Sequence, residues 1–250
     1  MVAVSGSVLP TTGFPACDVR SGPKTAALVE LYTSEGCSSC PPADRQLSRL
    51  RQTLDSAAEV VPLALHVNYW DYIGWKDVYA QVVFGERQSW LVHANQQKTV
   101  YTPQFFVGGV DLRSRPGGLP EQVKQLNAQL ATAAIRVKAE PTAHGTLELS
   151  AEATAPAASF PASFYLAVTE DGLVSKVTRG ENSGATLAHD HVMRVLIGPI
   201  HLEEGTARVQ RHVALPADWS RAQLEVVAFV QDERNGKVLQ ALRAMNCAGS

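Results

Sequence analysis

Val29–Leu47 reads VELYTSEGCSSCPPADRQL, and its reading decides the fold. An apolar, β-capable run, TAALVELYT (Thr25–Thr33), leads into it. Beyond Cys40 the period changes. Ala43, Leu47, Leu50 and Leu54 recur at three- and four-residue spacings, which predicts a helix over Pro42–Leu54. Pro41 and Pro42 suit its first turn, where a missing N–H leaves nothing unpaired. The two cysteines therefore fall on a strand-to-helix turn, the context in which a CxxC works as a redox pair. Cys37 lies at or just before the helix start, where unpaired N–H groups and the helix dipole favour a thiolate, the attacking form of sulfur. Cys40 lies one turn later on the same face and is placed to resolve a mixed disulfide.

Two other readings of the pair compete. One is a passive structural bridge. The other is a metal site, although zinc wants four ligands, usually from two paired clusters, and the chain has no second CxxC. A soft copper site needs only Cys37, Cys40 and one imidazole. His66, at the end of VPLAL, is the candidate for that imidazole and is expected to emerge at a strand edge near the dithiol. Its other candidate role is proton transfer during thiol exchange. The plain alternative is a core-edge histidine making one hydrogen bond.

Outward from this stretch, strands and helices alternate. EVVPLALHVNY (Glu59–Tyr69) predicts a strand whose ladder starts late because of Pro62. VYAQVVFGERQSWLVHANQ is helical but broken near Gly85, and PQFFVGGV is a strand entering a Gly-Gly turn. GLPEQVKQLNAQLATAA closes the region as a helix, with Leu119, Val123, Leu126 and Leu130 on one face. After about Arg136 the chain becomes short alternating runs separated by turn residues, up to eight strands with little helix. Asn235-Gly236 between two such runs is a hairpin signal. The expected fold class is an α/β domain followed by a mainly antiparallel β-sandwich-like domain. The expected divisions are an irregular lead-in over 1–24, an α/β domain over 25–135 and a β-rich domain over 136–250. One continuous mixed sheet is the less favoured arrangement.

Charged residues make up 18% of the chain and the net charge is −2, so no basic stripe marks a nucleic-acid or anionic-membrane surface. No run of about 20 apolar residues predicts a membrane span. The opening MVAVSGSVLPTTGFPACDVRSGPK lacks the basic head and apolar run of a signal peptide and is expected to be irregular. Cys17 and Cys247 flank the chain; a bridge between them is one of three connectivities that four cysteines allow. Closing so long a loop carries a nominal gain of about 4–5 kcal/mol and implies an oxidising compartment.

The insert at 68–90 crowds Tyr69, Trp70, Tyr72, Trp75 and Tyr79 into a short stretch punctuated by Asp71 and Asp77. Such rings suit a partner-binding wall beside the dithiol, with Trp70 and Trp75 as its candidates. They equally suit packing of a long insert over a sheet. Asp71 is a second candidate for proton transfer. His189 and His191, expected on one face of a strand, could hold a metal with Glu181; surface and turn roles are the plainer reading.

Two separated features then agree: EGCSSCPPAD after one strand, and YTPQFFVGG, with Thr102-Pro103, opening another. Together they resemble the thioredoxin superfamily. More closely, VELYTSEGCSSCPPAD, LHVNYWDYIGWKDVYA, YTPQFFVGG and GENSGATLAHDHVMRVLIG resemble the DUF1223 family of bacterial, often exported, thioredoxin-like proteins. The resemblance implies a thioredoxin-like first domain, Cys37 as nucleophile, Cys40 as resolving thiol, Pro103 as a cis-proline facing them and Thr102 as a substrate-positioning residue. It also implies a periplasmic or secreted location. Ser38-Ser39 stands between the cysteines where thioredoxins have Gly-Pro, and Pro41 stands where they have lysine.

The leading expectation is a thiol–disulfide oxidoreductase without a cofactor, acting on a protein or small-molecule thiol or disulfide and on no nucleic acid. The alternatives are a copper-binding or metallochaperone module using Cys37, Cys40 and His66, and a non-catalytic interaction protein. No GxSxG, HExxH or P-loop pattern supports a hydrolase or nucleotide site.

Overall fold

The computed structural model describes residues 17–142, 144–155 and 160–244. In chain order, β1 (Cys17–Arg20) and β2 (Ala27–Thr33) precede α1 (Pro41–Ser48), α2 (Leu50–Thr53) and β3 (Val60–His66). A 3-10 turn over Asn68–Ile73 leads to α3 (Val82–Ala94), β4 (Gln104–Val107), β5 (Val110–Asp111) and α4 (Leu119–Asn127). The chain then turns to strands: β6 (Ala134–Pro141), β7 (Thr146–Thr154), β8 (Ala162–Glu170), β9 (Leu173–Lys176) and β10 (Thr186–His189). It ends with β11 (Val192–His201), β12 (Thr206–Ala214), β13 (Leu224–Asp232) and β14 (Val238–Ala244).

An eight-stranded sheet runs β14-β13-β8-β11-β3-β2-β4-β5, a four-stranded sheet runs β1-β6-β7-β12, and β9 and β10 form a hairpin. The pairs β2–β3 and β3–β11 are parallel, and the other pairs of the large sheet are antiparallel. The large sheet is continuous across residue 135, where the sequence changes character. Side chains alternate across it, as the two-residue period of a strand requires. On one face Leu28, Leu65, Tyr165 and Phe229 pack with Phe84 and Leu91 of α3. On the other face Val29 and Leu31 meet Ala43, Leu47 and Val123 of α1 and α4. Further along that face, Phe164, Leu166 and Val226 meet Ile135, Val137 and Leu149 of the four-stranded sheet. The molecule is thus a thioredoxin-like α/β region followed by a larger β-region that closes as a sandwich.

Several local expectations are corrected. The helix after Cys40 is interrupted at Arg49. α3 runs unbroken through Gly85, because the packing of Phe84, Leu91 and Val92 outweighs a glycine penalty of about 1 kcal/mol. Leu130 lies beyond α4 and is exposed rather than on its buried face. Pro62 lies inside β3, paired with Val29. Its missing N–H is on the β11 side, because Ala64, two residues on, donates to His191 there. β11 meets β3 only at Ala64, so no ladder bond is lost at Pro62. β1 and β10 were not anticipated as strands; both are four residues long.

Candidate functional site

β2 enters the dithiol fully buried, and the chain turns at Ser34–Cys40 before α1. Within the turn, Cys37 N–H donates to Ser34 O at 3.1 Å and Cys40 N–H to Cys37 O at 3.1 Å. Cys40 is the helix N-cap residue, and its carbonyl accepts from Ala43 and Asp44. This places the sulfurs of Cys37 and Cys40 together as a disulfide, with Cα atoms 5.4 Å apart. Both residues are 0% exposed, whereas Ser38 and Ser39 between them are open to solvent.

Beneath the turn lies a buried polar cluster. The ladder sets Thr33 opposite His66. His66 Nδ1 donates to Asp77 Oδ2 at 2.7 Å, and the same oxygen accepts the Glu35 N–H at 2.9 Å. One carboxylate therefore ties the end of β3 to a residue two before Cys37. Glu35 is itself buried; Trp75 Nε1–H donates to its Oε2 at 2.8 Å and His189 Nε2–H to its Oε1 at 3.2 Å. Asp44, one helical turn past Cys40, accepts from Thr33 Oγ1–H at 2.7 Å. The rings of His66 and His189 cross edge to face at 4.8 Å, and His66 Nε2 and His189 Nδ1 are buried without a hydrogen-bond partner.

The charges follow from this packing. Burial opposes the His66 imidazolium, but the Asp77 carboxylate, with Asp44 and Glu35, outweighs it and raises the pKa. Burial likewise opposes the Asp77 carboxylate; the His66 imidazolium and the hydrogen bonds from Glu35 and Tyr79 overcome it and hold the pKa low. Asp44 is raised, chiefly by burial.

The 102–103 segment joins the site through the insert. The Thr102–Pro103 peptide bond is cis. Trp70 Nε1–H donates to Thr102 Oγ1 at 2.7 Å, and a Cβ on Gly36 would lie 3.1 Å from Trp70 Cβ, so Trp70 packs at its base against the dithiol turn and reaches the Thr-Pro segment with its indole. Gln88 Nε2–H fixes the Tyr101 carbonyl at 2.8 Å, and Tyr69 O–H donates to Gln88 Oε1. Tyr72 and Val78 stand exposed on the same insert.

Cys37, Cys40, His66, Trp70, Trp75 and Thr102 are thus connected through Glu35, Gly36 and Asp77, and Pro103 follows Thr102 across the cis bond. Asp71 instead accepts the Asp77 N–H at 3.2 Å and anchors the insert. His66 is fully buried rather than at an exposed strand edge. Among the described residues, no group of three or more His, Cys, Asp or Glu side chains is placed to hold a metal, so Cys37, Cys40 and His66 are not gathered as ligands. Nor are His189, His191 and Glu181. His189 ends β10 and bonds Glu35, whereas His191 lies beyond the strand at φ 58° with its N–H on Asp171, and Glu181 accepts from Ser38. Cys17 begins β1; Cys247 lies outside the described residues, and with it the Cys17–Cys247 bridge.

Sequence reasoning passed over Glu35, Asp44, Asn182 and the partnership of His66 with Asp77. Only Asp44 had a local signal, its four-residue spacing from Cys40 on the α1 face. Glu35 lies two residues before Cys37, but its partners Asp77, Trp75 and His189 come from distant segments, as does Asn182.

This chain belongs to the DUF1223 family, described as a protein of unknown function, whose pattern matches residues 28–231. No curated protein matches it. Among solved structures it is similar to protein AGR_C_4864 from Agrobacterium tumefaciens, with a TM-score of 0.60 at 22% identity over 92% of this chain and 98% of that one. It is also similar to HBP35 of Porphyromonas gingivalis, with a TM-score of 0.67 at 16% identity over 91% of this chain and 78% of that one. At these identities the likeness is one of fold. No helix among the described residues is long and apolar enough to cross a membrane.

Proposed function

We propose that this DUF1223 protein is a thiol–disulfide oxidoreductase whose working group is the Cys37–Cys40 pair. The observation that carries the reading is the closed disulfide itself, formed three residues apart on a strand-to-helix turn. In the reduced protein, the Cys37 thiolate attacks a substrate disulfide. A Cys37–substrate bond forms and one substrate sulfur leaves as a thiolate. The Cys40 thiolate then attacks Cys37 Sγ, the Cys37–Cys40 bond closes, and the second substrate sulfur leaves. Two electrons pass from the dithiol to the substrate, and the two thiol protons end on the released sulfurs. Run backwards, the same steps oxidise a substrate dithiol.

In this reading His66 moves protons. Nδ1 is held by Asp77, which leaves Nε2 as the exchanging atom. Thr102 and Pro103 position the substrate chain, and Trp70 and Trp75 wall the approach. The substrate is a protein or small-molecule disulfide or dithiol, and the site of action is an oxidising compartment, the periplasm or the exterior. The test is trapping. Cys40→Ser should accumulate a mixed disulfide with glutathione on Cys37, seen as one added glutathione mass, whereas Cys37→Ser should accumulate far less. Equal labelling of the two variants would count against assigning the attack to Cys37.

A further inference from the structure

The connection between β9 and β10 touches the dithiol turn from the β-rich region. It is a closed loop in its own right: Gly184 N–H donates to Val177 O at 2.8 Å, Val177 N–H to Ala185 O at 2.9 Å, and Ser183 Oγ–H to Thr178 O at 3.1 Å. From its tip, Asn182 Nδ2 donates to the carbonyls of Glu35 at 2.8 Å and Cys37 at 3.0 Å. Glu181 Oε2 accepts the Ser38 N–H at 3.0 Å. The loop therefore binds the backbone both before and after Cys37. It also packs on the insert. At Gly180, where φ is +73°, a Cβ would come within 3.0 Å of Ile73 Cδ1 and 3.4 Å of Trp75 Cβ. Ile73 in turn lies against Gly36.

Both cysteines are fully buried although the two residues between them are exposed. Thiol exchange needs a third sulfur to approach along the S–S axis, so this turn must open before it reacts. The loop's three hydrogen bonds oppose that opening. Glu181 adds an electrostatic term: its carboxyl is held below its ordinary value by the hydrogen bonds from Ser38, so it is ionised at neutral pH beside the residue next to Cys37.

We propose that Glu181 and Asn182 are positioning residues that strap the dithiol turn shut, with Asn182 limiting how often Cys37 becomes accessible and Glu181 disfavouring the anionic dithiol form. The proposal rests on the redox reading of the pair. The strap lies outside the exchanging sulfurs, and its effect is on their rate and their equilibrium.

The experiment compares the full-length protein with Asn182→Ala and Glu181→Gln. Opening of Cys37–Cys40 by dithiothreitol is followed by alkylation and mass, and the equilibrium is read against glutathione, with thermal unfolding as the check on folding. Asn182→Ala, which loses two hydrogen bonds, should open about tenfold faster. Glu181→Gln should move the glutathione equilibrium several-fold toward the dithiol. If the parent protein opens and both folded variants match it in rate and equilibrium, the strap is overturned and the redox reading stands. If the parent is inert but Asn182→Ala opens, the strap is supported and the redox reading of the parent fails. If neither opens, both are overturned.

Discussion

Asp77 is the residue on which the buried cluster turns. Its carboxylate accepts from His66, from the Glu35 N–H and from the Tyr79 N–H at 2.7–2.9 Å. Asp77→Ala would leave these donors unpaired and the imidazolium uncompensated, and should destabilise the fold by roughly 3–5 kcal/mol in urea titration. The same pair sets a pH dependence. His66 has a raised folded pKa, so its contribution is complete below the ordinary value near 6.5 and is lost as pH climbs through the folded value. Asp77 has a lowered one, so its contribution is complete above about 4 and is lost as pH falls through the folded value. Asp44, raised by burial, adds a further loss as pH rises above its ordinary range. Stability should be greatest near pH 4, fall modestly above it as Asp44 ionises, and decline further above about 6.5, and His66→Asn should flatten that alkaline decline. A urea midpoint that does not fall above pH 7 would contradict it. None of these partnerships is visible along the sequence. His66 and Asp77 are eleven residues apart at no helical or strand spacing, and His189 reaches Glu35 from 154 positions away. The cysteines were legible because their spacing and their strand-to-helix context are local.

At the scale of elements, glycine shows where local preference yields and where it governs. Gly85 sits inside α3, and a Cβ there would meet only Asn68 Oδ1 at 3.8 Å and Tyr69 Cδ1 at 4.0 Å. Gly85→Ala should therefore stabilise the protein by about 0.5–1 kcal/mol. Gly109 is the opposite case. Its φ is +80°, and a Cβ would fall 1.7 Å from the Gly236 carbonyl oxygen. Gly109→Ala should lower the thermal midpoint strongly, because backbone and not a pliant side chain is in the way. A Gly85→Ala variant less stable than the parent, or a Gly109→Ala variant as stable as it, would contradict this packing. The sequence favoured a break at Gly85 because propensity is all that a single chain shows, and tertiary burial of Phe84 and Leu91 overrides it. It marked Gly108-Gly109 correctly as a turn, since two adjacent glycines after an apolar run have a local reason. β10 was missed because Thr-Leu-Ala-His is four residues with a single large apolar side chain, too short for a two-residue period to show.

For the whole molecule, the shared sheet ties the two regions together. Arg87 of α3 donates to Glu30 of β2 and to Gln231 of β13, with its guanidinium 5.0 Å from the Tyr165 ring centre. Phe84 and Leu65 share a core with Tyr165 and Phe229. A fragment ending at residue 135 would lose β8, β11 and β13 from that core and should fail to fold cooperatively by circular dichroism, and the full chain should unfold in one transition. Two separate transitions would contradict the shared core. The fold class was legible, because alternating elements give way to short strands at a recognisable point. The continuity of the sheet was the less favoured reading and is the one observed; the joining of β11 to β3 is a long-range parallel pairing with no turn chemistry to announce it.

The central claim is that Cys37–Cys40 is a working redox pair, and the most direct test is a glutathione redox series on the native protein, quenched by alkylation and read by mass. The account predicts a disulfide that opens and recloses reversibly across the series, with both cysteines changing together. A pair that stays closed at every ratio, yet opens once the protein is unfolded in urea, would contradict it.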